Sequence, residues 1–156
     1  MWSNLAGIFG LRGFFFSNPV FSPRQNQPLV PMAIHKRVLI AEDSSVIQNL
    51  AKKILEFQNF EITSVKNGEQ VLQILDKEDF DVILLDINMP VLDGMETARR
   101  VRALPNAEKA KIPMVAITGN ARNYTMEEFK DAGFNDMLIK PLNFDALVAL
   151  VKGLTE

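Results

Sequence analysis

Three carboxylates, a hydroxyl and an ammonium group stand at comparable places in this chain, each at or just past the end of a short apolar run. Glu42 and Asp43 follow Val38 to Ala41, Asp86 closes Val82 to Leu85, Thr118 closes Met114 to Ile117, and Lys140 follows Met137 to Ile139. If a fold gathers them, their chemistry is constrained. Three carboxylates in one place repel and raise one another's pKa unless a cation shares the site. Hard oxygen donors of this kind suit Mg2+, which keeps waters and completes its shell with phosphate oxygen. A carboxylate attacking a phosphoryl group needs that neutralisation, because both partners are anionic. Lys140 would supply a fixed positive charge to one phosphate oxygen, and the Thr118 hydroxyl could donate to another. The product would be an acyl phosphate. Asp86 is the best-placed acceptor, on the central strand with the other acids beside it.

Each group has a plain reading when taken alone. An Asp at a strand end is commonly a turn or cap residue. Glu42 and Asp43 could be acids facing a helix macrodipole. Thr118 could be only a β-branched strand residue and Lys140 a solvated charge. The case for a site is their joint arrival on one rim, and that depends on the elements that carry them.

Those elements alternate. Arg37 to Ala41 is a short apolar run, and from Ser44 the apolar positions Val46, Ile47, Leu50, Ala51, Ile54, Leu55 and Phe57 follow a helical stripe that Ser44 can cap. Phe60 to Val65 reads as a strand, and Asn67-Gly68 opens a helix with Val71, Leu72, Ile74 and Leu75 inward. The run from Asp81 to Asp86 has the four successive β-forming residues of a strand buried on both faces. Asn88 to Pro90 breaks it, and Asp93-Gly94 opens a helix through about Leu104. Pro113 to Thr118 is a fourth strand. A helix with Met126, Phe129 and Ala132 inward stops at Gly133. Asp136 to Ile139 is a short fifth strand, followed by Lys140-Pro141 and a helix from about Asn143 to Gly153. Five strands alternating with five helices imply a doubly wound parallel α/β sheet. Right-handed crossovers then put every strand's carboxyl end on one rim, where ligands bind at the topological switch point.

Bulk properties narrow the remaining classes. The chain has 156 residues, 47% hydrophobic and 23% charged, the balance of one globular domain. A net charge of -2 and the lack of a basic recognition helix argue against direct nucleic-acid binding. There is no cysteine, which removes disulfides and thiolate chemistry, and the single histidine, His35, removes a histidine-rich metal site. Residues 1–31 hold Arg12 and Arg24 but none of the 19 acidic residues, and Pro19, Pro23, Pro28 and Pro31 predict that no regular element persists over 19–31. The apolar stretch Leu5 to Phe16 is shorter than the ~20 residues of a membrane span and lacks a secretory cleavage pattern. Such an Arg- and Ser-containing leader could be a transit peptide. The preferred expectation is a disordered or non-native extension over residues 1–35, with Met32 as a natural start and the domain over 36–156.

From about Lys36 to Glu156 the chain resembles the receiver domain of two-component response regulators, including stand-alone chemotaxis-type regulators. The matching motifs are Val38 to Asp43, Leu84 to Pro90, Asp93-Gly94, Ala116 to Asn120, and Lys140-Pro141. The resemblance implies a flavodoxin-like sheet of order 2-1-3-4-5. It implies that Asp86 accepts a phosphoryl group from a phosphohistidine on a histidine kinase or phosphotransfer protein. It further implies that Asp43, Asp86 and the backbone carbonyl of Asn88 bind Mg2+, Glu42 acting through water, while Thr118 and Lys140 sense the phosphoryl group across a cis Lys140–Pro141 peptide. One position departs: the family's usual aromatic three residues before the lysine is Met137, a flexible thioether. The expected protein is a cytoplasmic single-domain regulator, not an enzyme beyond self-catalysed phosphoryl transfer and slow autodephosphorylation. It would signal to an effector protein of unknown identity and not to nucleic acid or membrane. The kinase would contact the rim and first helix, and the fourth helix, fifth strand and fifth helix (Arg122, Asn123, Glu127, Lys130) would form the output face. Asn88 and Asn120, both uncharged, flank the path of water to the acyl phosphate and imply a moderately long-lived group. A phosphate shuttle or sink is the alternative. A haloacid-dehalogenase-type phosphatase fits less well, since its second aspartate is replaced here by Asn88.

Overall fold

The computed structural model describes residues 34–156. The expected extension over 1–35 therefore lies almost wholly outside the described residues. The elements run β1 (Arg37–Ala41), α1 (Ser45–Phe57), β2 (Glu61–Val65), α2 (Gly68–Lys77), β3 (Val82–Asp86), α3 (Gly94–Arg102), a one-turn α4 (Ala107–Ala110), β4 (Met114–Thr118), a 3-10 turn at Ala121–Asn123, α5 (Met126–Ala132), β5 (Asp136–Ile139) and α6 (Phe144–Thr155). The five strands are all parallel, in the order β2-β1-β3-β4-β5. Among the described residues, five of the helices have seven residues or more and α4 is the sixth.

Side chains alternate across a strand, and here that alternation builds two cores. Leu39, Ile83, Leu85, Met114 and Ala116 face α2, α3 and α5 through Val71, Leu75, Ala98, Val101 and Phe129. Val38, Ile40, Leu84, Val115 and Ile117 face α1 and α6 through Ala51, Leu55, Leu147 and Val151. Every residue of β3 is buried, as expected of a strand covered on both faces.

Local chemistry sets the boundaries. Asn67, Asp93, Thr125 and Asn143 each cap a helix by accepting a backbone N–H, and Thr125 and Glu128 complete a capping box. Gly133 ends α5 at φ 107, in the left-handed region. Arg102 then ties that end down, donating to the carbonyls of Gly133, Ala110 and Ile112 and to Asn135 Oδ1.

Three local expectations are corrected. Ser44 lies at the N-cap of α1 in extended conformation, but its side chain caps nothing. Its backbone N–H, a separate group, donates to Glu42 Oε1 at 2.9 Å. The apolar stripe of α1 is wider than the groove it fills, so Val46, Leu50 and Phe57 stay exposed while Ala51 and Leu55 pack inward. Met126, expected inward, is 54% exposed at the first position of α5, where Phe129 and Ala132 take the core.

Candidate functional site

The strand order makes β1 and β3 neighbours whose following helices lie on opposite faces of the sheet. That divergence opens a crevice beyond their carboxyl ends. Glu42 and Asp43 leave β1 there, and Asp86 ends β3. Thr118 and Lys140 come from the ends of β4 and β5, and Lys140 N–H donates to the Thr118 carbonyl at 2.9 Å.

Glu42 and Asp86 are almost wholly inaccessible, whereas Asp43 is exposed. Carboxylate oxygens of all three lie within 4.8 Å of one another. Lys140 Nζ bridges the two buried acids, 3.0 Å from Glu42 Oε2 and 3.2 Å from Asp86 Oδ2. The other Asp86 oxygen, Oδ1, accepts the Asn88 N–H at 3.1 Å. Asp86 is thus oriented from both sides. Thr118 is buried, with Oγ1 accepting the Asn120 N–H at 3.1 Å. Asn88 and Asn120 are exposed at the crevice mouth, and the Lys140–Pro141 peptide is cis.

Electrostatics follow from burial. Burial pushes the Glu42 carboxyl up, and neighbouring Asp86 adds to that. The Ser44 N–H and Lys140 pull it down without cancelling the rise. Burial by itself would lower Lys140, but the close approach of the Glu42 and Asp86 carboxylates outweighs it and leaves its pKa raised. Glu42 Oε2 is buried and accepts no hydrogen bond. Its 3.0 Å approach to Lys140 Nζ is a charge–charge contact without hydrogen-bond alignment. A buried carboxylate oxygen left in that condition, beside two further carboxylates, is a donor set that could hold a hard divalent cation.

Glycine secures the backbone beneath the site. A Cβ on Gly94 would lie 2.3 Å from the Asp86 carbonyl oxygen, so α3 can start against the end of β3 only without a side chain. Met137 is half-buried and packs with Tyr124 against the α2–α3–α5 core. A hollow of about 100 Å³ lies beside it, lined by Met126, Phe129 and Phe134.

Two groups at the rim escaped the sequence reading. Lys66 follows β2 and reaches Asp43 and Ser45. Gln48, on α1, is buried and donates to the carbonyls of Glu42 and Val65. The signal for Lys66 was available, since it too is a polar residue just past a strand end. Gln48 left none, being one polar residue inside an amphipathic helix.

Fold and site together define a doubly wound α/β domain with an acidic crevice at its switch point. The chain belongs to the response regulator receiver domain family, whose model matches residues 38–152. It is 36% identical over 115 residues to hybrid signal transduction histidine kinase I of Dictyostelium discoideum, a match over 70% of this chain and 7% of that kinase. An uncharacterised 14.6 kDa protein of Leptolyngbya boryana is 32% identical over 74% of this chain and 86% of its own length. Among solved structures, the receiver domain of a sensor histidine kinase from Pseudomonas aeruginosa aligns with a TM-score of 0.70 and 30% identity, over 78% of this chain and 98% of that one; it has a magnesium ion coordinated in its active-site cleft. The chain spans under a fifth of the length of the hybrid and sensor kinases it matches. Among the described residues no helix is long and apolar enough to cross a membrane.

Proposed function

We propose that Asp86 accepts a phosphoryl group from a phosphohistidine on a histidine kinase or phosphotransfer protein, with Mg2+ bound. The observation that carries this reading is the buried Asp86 carboxylate, held by Asn88 N–H and Lys140 Nζ with Glu42 and Asp43 beside it. Asp43, Asp86 and the Asn88 carbonyl would hold the ion, Glu42 acting through water. When bound, the ion supplies charge neutralisation for the phosphoryl oxygens. An Asp86 oxygen attacks phosphorus, and the new O–P bond forms as the P–N bond breaks, its electron pair leaving with the imidazole. Lys140 turns from Glu42 to a phosphoryl oxygen, and the Thr118 hydroxyl donates to another. Movement of Thr118 is then felt along β4 and β5, where Met137 repacks against the hollow beside it and passes the change to a protein effector. The output face is α5, β5 and α6.

The donor's docking face is supported by Val46 and Leu50, which α1 leaves 76% and 44% exposed next to the rim. With Ile47, Pro141, Leu142 and Phe144 they line a hollow of about 250 Å³ that reaches Lys140. This reading carries a cytoplasmic location and no turnover beyond self-catalysed phosphorylation and slow loss of the group. Its hybrid-kinase relatives favour a second reading, a way station that returns the phosphoryl group to a second histidine.

Intact mass after incubation with acetyl phosphate and Mg2+ tests the assignment. The wild type should gain one phosphoryl group, and the gain should vanish with EDTA or in Asp86→Asn. No gain in the wild type, or an equal gain in Asp86→Asn, refutes it.

A further inference from the structure

We propose that Lys66 is a positioning residue for cation binding, bracing the Glu42–Asp43 loop from the end of β2 with Gln48 as its counterpart from α1. This rests on the reading of Glu42, Asp43 and Asp86 as a cation site. Asp43 is the exposed member of the trio and sits in the bend between β1 and α1, outside any strand or helix. Something else must fix its backbone. Lys66 Nζ donates to Ser45 Oγ at 2.7 Å and reaches the Asp43 carbonyl at 3.5 Å. The base of Lys66 is itself held, since its N–H donates to Gln70 Oε1 at 2.7 Å in the first turn of α2. On the inner side, Gln48 Nε2 donates to the Glu42 carbonyl at 3.2 Å and the Val65 carbonyl at 2.9 Å. Gln48 thus holds the Glu42 carbonyl, while Lys66 holds the loop just past Asp43 through Ser45 Oγ and lies within outer reach of the Asp43 carbonyl.

A loop held this way presents its carboxylates without first losing conformational freedom on binding. Lys66 contacts a carbonyl and a hydroxyl rather than a carboxylate, so it braces the loop without neutralising an acid. Its positive charge has the opposite influence, since an ammonium near the site repels a dication. That repulsion is long-ranged and is screened by salt, with a Debye length of about 4 Å at 0.5 M. Short hydrogen bonds survive such salt. Ionic strength therefore separates the two effects.

Mg2+ titration calorimetry on the full chain in 0.5 M KCl, for wild type, Lys66→Met and Lys66→Arg, tests the proposal. Thermal midpoints in EDTA serve as the check on the fold. Partners that orient metal ligands commonly contribute 10- to 100-fold in affinity, and a brace on exposed backbone should fall below that. Lys66→Met should weaken Mg2+ binding about three- to tenfold with its EDTA midpoint unchanged, and Lys66→Arg should recover most of the loss. Affinity unchanged or tightened in Lys66→Met, or an equal loss in Lys66→Arg, overturns the brace. A wild type that binds no Mg2+ overturns the underlying cation site instead.

Discussion

Replacing Gly94 by alanine tests how tightly the acceptor strand is locked to the helix behind it. The added Cβ would stand 2.3 Å from the Asp86 carbonyl oxygen and 2.7 Å from the Ile87 Cα, both of them backbone. Ordinary contact requires over 3 Å, so β3 or α3 must shift by roughly 1 Å, against the Gly94 N–H bond to the Ile87 carbonyl at 2.9 Å. Overpacking of this kind costs about 1–3 kcal/mol, and rigid backbone on both sides puts this case at the upper end. Alanine's better helix propensity returns up to about 1 kcal/mol, leaving a net loss of about 2 kcal/mol. Gly153 provides the control. It lies within α6 with nothing inside 4 Å of its would-be Cβ, so the same substitution there should stabilise by about 0.5–1 kcal/mol. Urea unfolding of both variants in EDTA, with m unchanged, reads the two signs. The displaced Asp86 should also slow phosphorylation by acetyl phosphate in Gly94→Ala and leave it unaltered in Gly153→Ala. A Gly94→Ala loss under about 0.5 kcal/mol, or losses of equal size at both sites, would refute the reasoning.

Three further outcomes follow from the site. Val91 has φ 71 and is exposed in the loop between β3 and α3, with Leu92 N–H donating to the Pro90 carbonyl across it. A β-branched residue is strained there, so Val91→Gly should raise stability by about 0.5–1 kcal/mol in urea unfolding despite glycine's greater chain entropy. Lys140→Met removes the ammonium shared by two buried acids. The EDTA melting midpoint should fall and the midpoint rise on adding Mg2+ should grow, because the cation then meets uncompensated carboxylates. Burial raises the Glu42 pKa, so its ionised form weakens the metal-free fold above that raised value, and the penalty disappears below the unfolded value of about 4.3. Between those limits, lowering the pH should relieve the penalty in wild type and not in Glu42→Gln, as the difference between their EDTA melting curves will show.

Much of this was legible in one dimension. Apolar runs of strand length, stopped by acids, and helical stripes between them point to a parallel doubly wound sheet, an arrangement that buries β3 on both faces. The same runs place Asp86, Glu42, Asp43, Thr118 and Lys140 on one rim, since parallel strands all end on the same side. The resemblance carried by those motifs extended the reading to strand order and to the cis Lys140–Pro141 peptide.

What the sequence could not say is which faces and oxygens would find partners. Periodicity gave α1 one broad apolar stripe, yet Val46, Leu50 and Phe57 stay exposed because β1, β2 and α6 cover only part of it. Ser44 looked like a cap, but its hydroxyl accepts no helix N–H, while its own N–H goes to the Glu42 carboxylate. Lys66 and Gln48 became braces because β2 and α1 happen to flank the acid loop from two sides. Residue type and spacing determine what an element can bury or react with. Pairing across the rim depends on distances between elements far apart in the chain, and those exist only once the sheet has formed.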